Sequence, residues 1–239
     1  MIARLLGAVQ FLTTFPIRGS TAPAGASAMF FPLVGAALGL FGAIVLAALR
    51  DILPWTISSL LVIALWALLT GGLHEDGFAD VADAFRAGRP RERILAILKD
   101  SRIGAHGALA LVLITLVRWQ ALAGISADPM YALPGIFAVS RAAMVALAWI
   151  SAPAGGGLGF QFAQTLTSLG ALIAIASGML FAAGTTAGPL LVWGAGILVV
   201  VMRLYFINRI GGVTGDCLGA TSLMVETWGL VLFTCQRCM

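Results

Sequence analysis

Residues 55–84, WTISSLLVIALWALLTGGLHEDGFADVADA, change character at one point, the glycine pair that follows Thr70. The residues before the pair carry no charge, whereas the residues after it include Asp76, Asp80 and Asp83. A helix needs about 20 mostly apolar residues to cross a bilayer, so residues 55–72 predict a transmembrane helix. The acidic segment then begins where that helix leaves the membrane.

The rest of the chain repeats this apolar pattern. Of its 239 residues, 60% are hydrophobic and 10% charged, whereas a typical soluble domain is about 25% charged. Bilayer-length apolar runs occupy residues 30–49, 55–72, 105–125, 131–150, 168–184, 189–207 and 218–234. We therefore expect an all-α fold: a polytopic integral membrane helical bundle with about seven transmembrane helices, short cytoplasmic amphipathic helices and one domain over residues 1–239. Residues 1–19 predict an interfacial or re-entrant helix before the first span.

The charged residues are concentrated rather than scattered. Half of all Asp, Glu, Lys and Arg residues lie between His74 and His106. Because positive residues are retained on the cytoplasmic side of short loops, the arginine-rich segment 86–102 is predicted to be cytoplasmic. A catalytic loop at about 71–104 and a second site loop at about 208–217 then share one face of the membrane.

The three aspartates of the first loop predict a metal site. If residues 74–86 form a helix, Asp76, Asp80 and Asp83 lie within roughly 60° of arc. Carboxylates so close together raise one another's pKa unless a cation lies between them, and oxygen ligands suit Mg²⁺ bound to a phosphate. The alternative is a solvated acidic helix end that neighbouring arginines, Arg86 and Arg89, neutralise. Gly77 favours the close approach of a ligand or of another helix.

Two further clusters can bind phosphate. Lys99, Asp100, Ser101 and Arg102 precede the third span, and Arg and Lys are the usual partners of phosphate oxygens. The glycine-rich turn between the sixth and seventh spans can expose successive N–H groups to an anion, and Asp216 can complete the shell of the cation. The residues of this turn that we assign to the site are Arg209, Gly211, Gly212, Thr214, Gly215 and Asp216.

Arginines within the apolar runs are informative because an ionisable group at membrane depth costs roughly 2.5 to 3.5 kcal/mol. Arg141 is the deepest, and we expect it to pair with a buried carboxylate or with substrate phosphate. Glu226 in the last run is the candidate partner. Arg118 and Arg203 lie nearer the ends of their runs and can extend to the surface.

Four motifs in this order resemble the cobalamin synthase family of adenosylcobinamide-GDP ribazoletransferases. They are GGLHEDGFADVADAF from Gly71, KDSRIGAHG from Lys99, the pair Ser140 and Arg141, and RIGGVTGDCLGA from Arg209. The similarity extends over essentially the whole chain. Two positions depart from the family's usual pattern: Glu75 replaces an apolar residue, and Leu223 replaces a glutamate.

The resemblance implies a Mg²⁺-dependent transferase of the bacterial cytoplasmic (inner) membrane, acting from its cytoplasmic face in the last stage of cobalamin (vitamin B12) synthesis. It would transfer the cobinamide phosphate of adenosylcobinamide-GDP to α-ribazole, or to α-ribazole 5′-phosphate, and release GMP. The product would be adenosylcobalamin or its 5′-phosphate. The implied partners are these substrates and the lipid bilayer, without nucleic acid, and a homo-oligomer or a pathway assembly stays open.

The resemblance also assigns roles to residues. The metal ligands would be Asp76, Asp80 and Asp83, with Asp216 as a further candidate. Lys99, Arg102 and Arg141 would hold phosphate, and His74 or one of the carboxylates would be the general base. The other substrate-binding candidates are Asp100, Ser101, Arg209, Gly211, Gly212, Thr214, Gly215 and Glu226.

Two other functions remain as alternatives. CDP-alcohol phosphotransferases also use aspartates and a divalent metal in the membrane, but their signature has glycine and alanine-arginine spacings that this chain lacks. A transporter of small solutes would place ionisable residues near the bilayer midplane, where Arg141 and Glu226 are expected. The concentration of charge at one membrane face favours an enzyme.

Overall fold

The computed structural model describes residues 1–19, 21–86 and 88–235. Within them the fold is all-α, and β structure is limited to one isolated bridge between Pro153 and Val213. The α-helices, in chain order, are α1 Ile2–Leu12, α2 Ala24–Ser27, α3 Phe31–Leu49, α4 Trp55–Thr70, α5 Leu73–Ala84, α6 Arg91–Ile97, α7 Ala105–Ala123, α8 Pro129–Trp149, α9 Leu158–Thr165, α10 Ser168–Ala183, α11 Gly188–Ile210 and α12 Gly215–Leu232. The predicted helical bundle is thereby confirmed.

The seven predicted apolar runs coincide with α3, α4, α7, α8, α10, α11 and α12. By length and apolarity, however, four helical segments can cross a bilayer alone: Ala24–Leu49, α7, α8 and α11. Two bent pairs, α4 with α5 and α9 with α10, raise this number to six in the described residues. The count of seven spans is therefore not confirmed. Of the seven predicted spans, α12 is the one outside this set, and it carries Asp216 and Glu226.

Helix α8 lies at the centre of the bundle and is buried along nearly its whole length. Helix α3 approaches it closely through Gly35 and Gly39, which follow each other at the four-residue spacing that lets helix backbones meet. A Cβ atom at Gly39 would collide with the backbone of Leu133, and one at Gly35 with that of Phe137. Small residues thus set the separation of these two helices.

The N-terminal segment forms the short helix α1, as expected for residues 1–19. Its residues Ala8 and Leu12 are fully buried, and Phe11 stacks on Phe31 of α3 with 5.4 Å between ring centroids. The backbone N–H of Thr14 then donates to the carbonyl of Leu69 at 2.8 Å. Helix α1 is therefore an integral part of the bundle next to the end of α4.

The contact between α3 and α8 predicts that Gly39→Ala lowers the free energy of unfolding by about 1–3 kcal/mol, because an added methyl overpacks the interface. Thermal unfolding of the purified protein in detergent measures this change. Gly196→Ala on α11 is the matched control, since nothing lies within 4 Å of a Cβ atom there. Replacing a helical glycine in open space should leave stability unchanged or raise it by roughly 0.5–1 kcal/mol. Equal behaviour of the two variants would contradict the packing.

Candidate active site

Two consecutive glycines separate α4 from the acidic helix α5. Gly71 and Gly72 are both left-handed, with φ of 65° and 68°, a conformation that other residues rarely adopt. The chain turns by 90° between the two helices. If α4 crosses the bilayer, α5 runs along the membrane plane and lies outside the spanning segments. The predicted acidic helix is confirmed, over Leu73–Ala84.

Helix α5 lies directly against the beginning of α12. A Cβ atom at Gly77 would lie 2.9 Å from the backbone oxygen of Asp216, and one at Gly219 would lie 3.5 Å from the Cα atom of His74. The close approach expected at Gly77 is therefore to another helix. It brings Asp76 of α5 and Asp216 of α12 to the same cavity.

This cavity has a volume of about 380 Å³ and is enclosed by residues of α1, α5, α6, α8, α9 and α12 with the loops beside them. Six predicted site residues line it: His74, Asp76, Lys99, Thr214, Gly215 and Asp216. Its apolar lining includes Phe11, Leu95, Leu98, Met144 and Phe162. Carboxylates, one lysine and an apolar surface thus face a single space of the size typical for small-molecule sites.

One wall of the cavity is formed by residues 155–159, GGGLG, which sequence reasoning did not identify. The segment is held beside the second site loop because Ala154 N–H donates to the carbonyl of Val213, and Val213 N–H donates to that of Ala152, both at 2.9 Å. The sequence feature that could have indicated this wall is its run of three consecutive glycines, residues 155–157. Nothing near them in the sequence links them to α5 or α12, which is why they were missed.

The carboxylates of α5 and α12 act on one another electrostatically. Burial, followed by the charges of Asp76, Asp216 and Asp83, raises the pKa of Asp80 to about 7. Asp83 also has a partner of its own, because its Oδ2 accepts a hydrogen bond from Gly104 N–H at 2.7 Å. Within residues 1–19, 21–86 and 88–235, no three His, Cys, Asp or Glu side chains form a ready metal-binding group. The predicted ligands gather negative charge without completing a coordination shell.

The second site loop is shaped by its glycines and by Thr214. Gly211 ends α11 in the left-handed conformation, with φ of 78°, and Gly212 packs against the backbone of Ala152 so closely that a Cβ atom would collide with it. Thr214 caps α12 by accepting a hydrogen bond from Cys217 N–H at 3.4 Å. Arg209 does not line the cavity, because its guanidinium donates to the carbonyl of Arg86 at 2.7 Å.

The residues of the predicted phosphate cluster before α7 do not all lie at the cavity. Lys99 lines the cavity, whereas Arg102 and Asp100 form a surface ion pair of 2.7 Å with the arginine side chain 86% exposed. The hydrogen bonds from Arg102 lower the pKa of Asp100 to about 2. Ser101 is also exposed. Lys99 is thus the cation of this cluster that adjoins the cavity.

The charged residues deep in the bundle form a separate network. The carboxylate of Glu226 accepts hydrogen bonds from Arg118 and from Arg141, the latter at 2.8 Å. The expected pairing of Arg141 with Glu226 is confirmed, and neither residue lines the cavity described above. Arg141 also donates to Ser140 and Ser222 at 2.7 and 3.0 Å.

Arg118 extends this network to α5. Its side chain is 2% exposed and donates to Glu75 at 2.8 Å, so the expectation that it reaches the surface is wrong. Glu75, to which sequence reasoning gave no role, is therefore the residue that joins the acidic helix to the buried arginines. The two buried arginines are thus balanced by the buried Glu226 and the partly buried Glu75.

Comparison with known proteins gives one consistent result. The family model described as cobalamin-5-phosphate synthase matches residues 4–234. Three proteins named adenosylcobinamide-GDP ribazoletransferase are similar to the chain. That of Geotalea daltonii is 37% identical over 92% of each chain. That of Pseudomonas aeruginosa is 36% identical over 95% of this chain and 96% of its own length. That of Brevibacillus brevis is 34% identical over 90% of this chain and 91% of its own length. No solved structure matches the chain.

The buried network predicts a large loss of stability in Glu226→Ala, about 3–5 kcal/mol, because two arginines lose their shared carboxylate inside the bundle. Thermal or denaturant unfolding in detergent measures it. Asp100→Asn is the control, since it breaks an ion pair at the surface and should leave the unfolding midpoint unchanged. A Glu226→Ala protein as stable as the control would show that the network does not hold the helices together.

The raised pKa of Asp80 predicts a pH dependence in the absence of divalent cations. Between pH 4 and 7 the folded state keeps a proton on Asp80 that the unfolded state has lost, so stability falls as pH rises through this window. Asp80→Asn removes the effect and should stabilise the protein relative to wild type at pH 8 but not at pH 4. Unfolding midpoints in EDTA across this range, with the exposed Asp51→Asn as control, measure the difference. A pH-independent difference would contradict the assignment.

Proposed function

The chain belongs to the cobalamin-5-phosphate synthase family and is a transferase of cobalamin synthesis, and from that premise we propose that it joins adenosylcobinamide-GDP to α-ribazole or α-ribazole 5′-phosphate. In this reaction a ribose hydroxyl of the acceptor attacks the phosphorus on the cobinamide side of the pyrophosphate. This hydroxyl is not the one at the 5′ position, because α-ribazole 5′-phosphate carries its phosphate there and the 5′-phosphate product keeps it. A new P–O bond forms, the bond to the GMP phosphate breaks, and adenosylcobalamin and GMP result. The observation that carries the proposal is the cavity in which Asp76 and Asp216 face the same space as Lys99.

The carboxylates of Asp76 and Asp216, which line this cavity, are oxygen donors of the kind that a magnesium ion takes. Hard divalent cations take carboxylate oxygens and commonly bridge them to phosphate. Burial raises the pKa of Asp80 to about 7, and the charges of Asp76, Asp216 and Asp83 contribute to this rise; a bound cation would offset the contribution of the charges. Asp76, Asp80 and Asp216 would hold the ion, with Asp83 beside them. When bound, it would neutralise charge on the phosphoryl oxygens and on the departing GMP.

The chain's own residues would position the reacting groups. Lys99 is the cation of the cavity that can bind a phosphate oxygen as a point charge. The proton of the attacking hydroxyl would pass to one of the carboxylates. His74 is a weaker candidate for the base, because burial and the charges of Arg141 and Arg118 lower its pKa well below the usual value.

We place the reaction at the cytoplasmic face of the bacterial inner membrane. Segment 86–102, which adjoins the cavity through Lys99, holds six of the 14 Lys and Arg residues, and such segments are retained in the cytoplasm. No observation favours a transporter in the same way, because Arg141 and Glu226 bind each other and do not line the cavity.

The test is release of GMP from adenosylcobinamide-GDP and α-ribazole by protein reconstituted in lipid vesicles. We expect Mg²⁺-dependent turnover that EDTA abolishes and that Asp76→Asn and Asp216→Asn each lower by a factor of about 100 or more, since electrostatic stabilisation is lost at the reacting phosphate. Asp51→Asn is the control and should turn over like wild type. A folded wild-type protein that releases no GMP would contradict the proposed reaction.

A further inference from the structure

The apolar part of the cavity is built around aromatic rings. Phe11 of α1 and Phe162 of α9 both line it, and each also contacts Phe31, with ring centroids 5.4 and 5.6 Å apart. Phe162 is 2% exposed, so its ring is held by its neighbours on the bundle side. Transfer of a phosphoryl group needs charge and oxygen ligands, and nothing in that chemistry requires such an aromatic wall.

One polar atom of the cavity's lining residues is buried and has no hydrogen-bond partner in the described part of the chain. It is Nε2 of His74, a residue that is 2% exposed. Buried polar atoms nearly always have a partner, so an unpaired imidazole nitrogen in a residue that lines a cavity indicates a ligand that supplies one. The aromatic wall and this nitrogen belong to the same cavity as Asp76 and Lys99.

We propose that the wall of Phe11 and Phe162, together with His74, binds the benzimidazole base of the acceptor nucleoside, an inference that rests on the proposed function. The base lies against the aromatic rings, and Nε2–H of His74 donates to the one ring nitrogen of the base that the ribose leaves free. Aromatic rings in offset or edge contact attract one another beyond the area they bury. The ribose then extends toward the carboxylates, where its attacking hydroxyl meets the donor phosphate.

Hydrogen-bond chemistry favours this base over the other ring systems in the reaction. A dimethylbenzimidazole nucleoside has a single acceptor on its base, which matches the single unpaired nitrogen of the wall. Guanine carries two donors and a carbonyl acceptor along one edge, and the corrinoid carries peripheral amides. Buried against Phe11, Phe162 and Met144, these groups would lose their water without finding partners, which is costly for binding.

The decisive experiment compares two acceptors in the GMP-release assay: α-ribazole and the analogue in which the free ring nitrogen is replaced by C–H. Wild type should have a KM about tenfold higher for the analogue, the usual effect of one buried hydrogen bond. His74→Phe should give the two acceptors the same KM, and His74→Gln, which keeps an N–H near the same place, should restore part of the difference. A preference that persists in His74→Phe overturns the proposal.

The aromatic wall has its own test in Phe162→Leu. Its KM for α-ribazole should rise about tenfold through lost aromatic contact and area, while the KM for adenosylcobinamide-GDP stays unchanged. Phe160→Leu is the matched control, because Phe160 lies on the same helix and does not line the cavity. A higher KM for the donor, or weaker inhibition by GMP, would assign the wall to guanine and overturn the proposal.

Equilibrium dialysis of α-ribazole with the same preparations separates this inference from the proposed function. Binding that is weakened in Phe162→Leu and His74→Phe, but not in Phe160→Leu, supports the base site whether or not GMP is released. Turnover with equal binding by all variants leaves the reaction in place and overturns the base site.

Discussion

Three buried charges, those of Arg118, Arg141 and Glu226, and the partly buried carboxylate of Glu75 constrain how the helices can be arranged. A buried ion without a partner costs several kcal/mol, so the helices that carry these residues have to meet. The two oxygens of Glu226 bind different arginines, which brings α12 against α7 and α8 at once. The second contact of Arg118, to Glu75, adds α5 to the same point.

This arrangement explains how a short acidic helix keeps a defined position. Helix α5 is separated from α4 by the left-handed pair Gly71 and Gly72, and it would be free to swing if only that connection held it. Glu75 fixes it to the buried arginines, and Gly77 fixes its distance from α12. Because successive residues of a helix are about 100° apart, anchoring Glu75 in the bundle directs its neighbour Asp76 to a different side, where the cavity lies.

The sequence predicted the long helices and the main motifs because both are local properties. An apolar run of bilayer length is visible within its own residues, and the acidic helix follows from the spacing of its aspartates. The wall at residues 155–159 depends on hydrogen bonds that Ala152 and Ala154 form with Val213. Val213 is far from both in the chain, so no local sequence pattern predicts this wall. The partner of Asp83, the N–H of Gly104, also depends on tertiary geometry. The site could therefore be predicted as a set of residue types, but not as a cavity.

Charge compensation distinguishes the two groups of ionisable residues and bears on the two interpretations of the aspartate stripe. If α5 were only a solvated helix end neutralised by its arginines, Arg89 would be bonded to those carboxylates. Instead its guanidinium donates to the backbone carbonyls of Asp83 and Ala84, and the carbonyl of Arg86 accepts from Arg209. These contacts provide hydrogen-bond donors for the backbone carbonyls at the end of α5. Neither Asp76 nor Asp80 takes part in the ion pairs of the described residues. The raised pKa of Asp80, caused by burial and then by the neighbouring carboxylates, means that its charged form is disfavoured in the empty protein, and a bound cation would offset that cost. The charges of Arg141 and Glu226 already compensate each other, so a bound ion would not stabilise them further. This is consistent with a structural role for the pair.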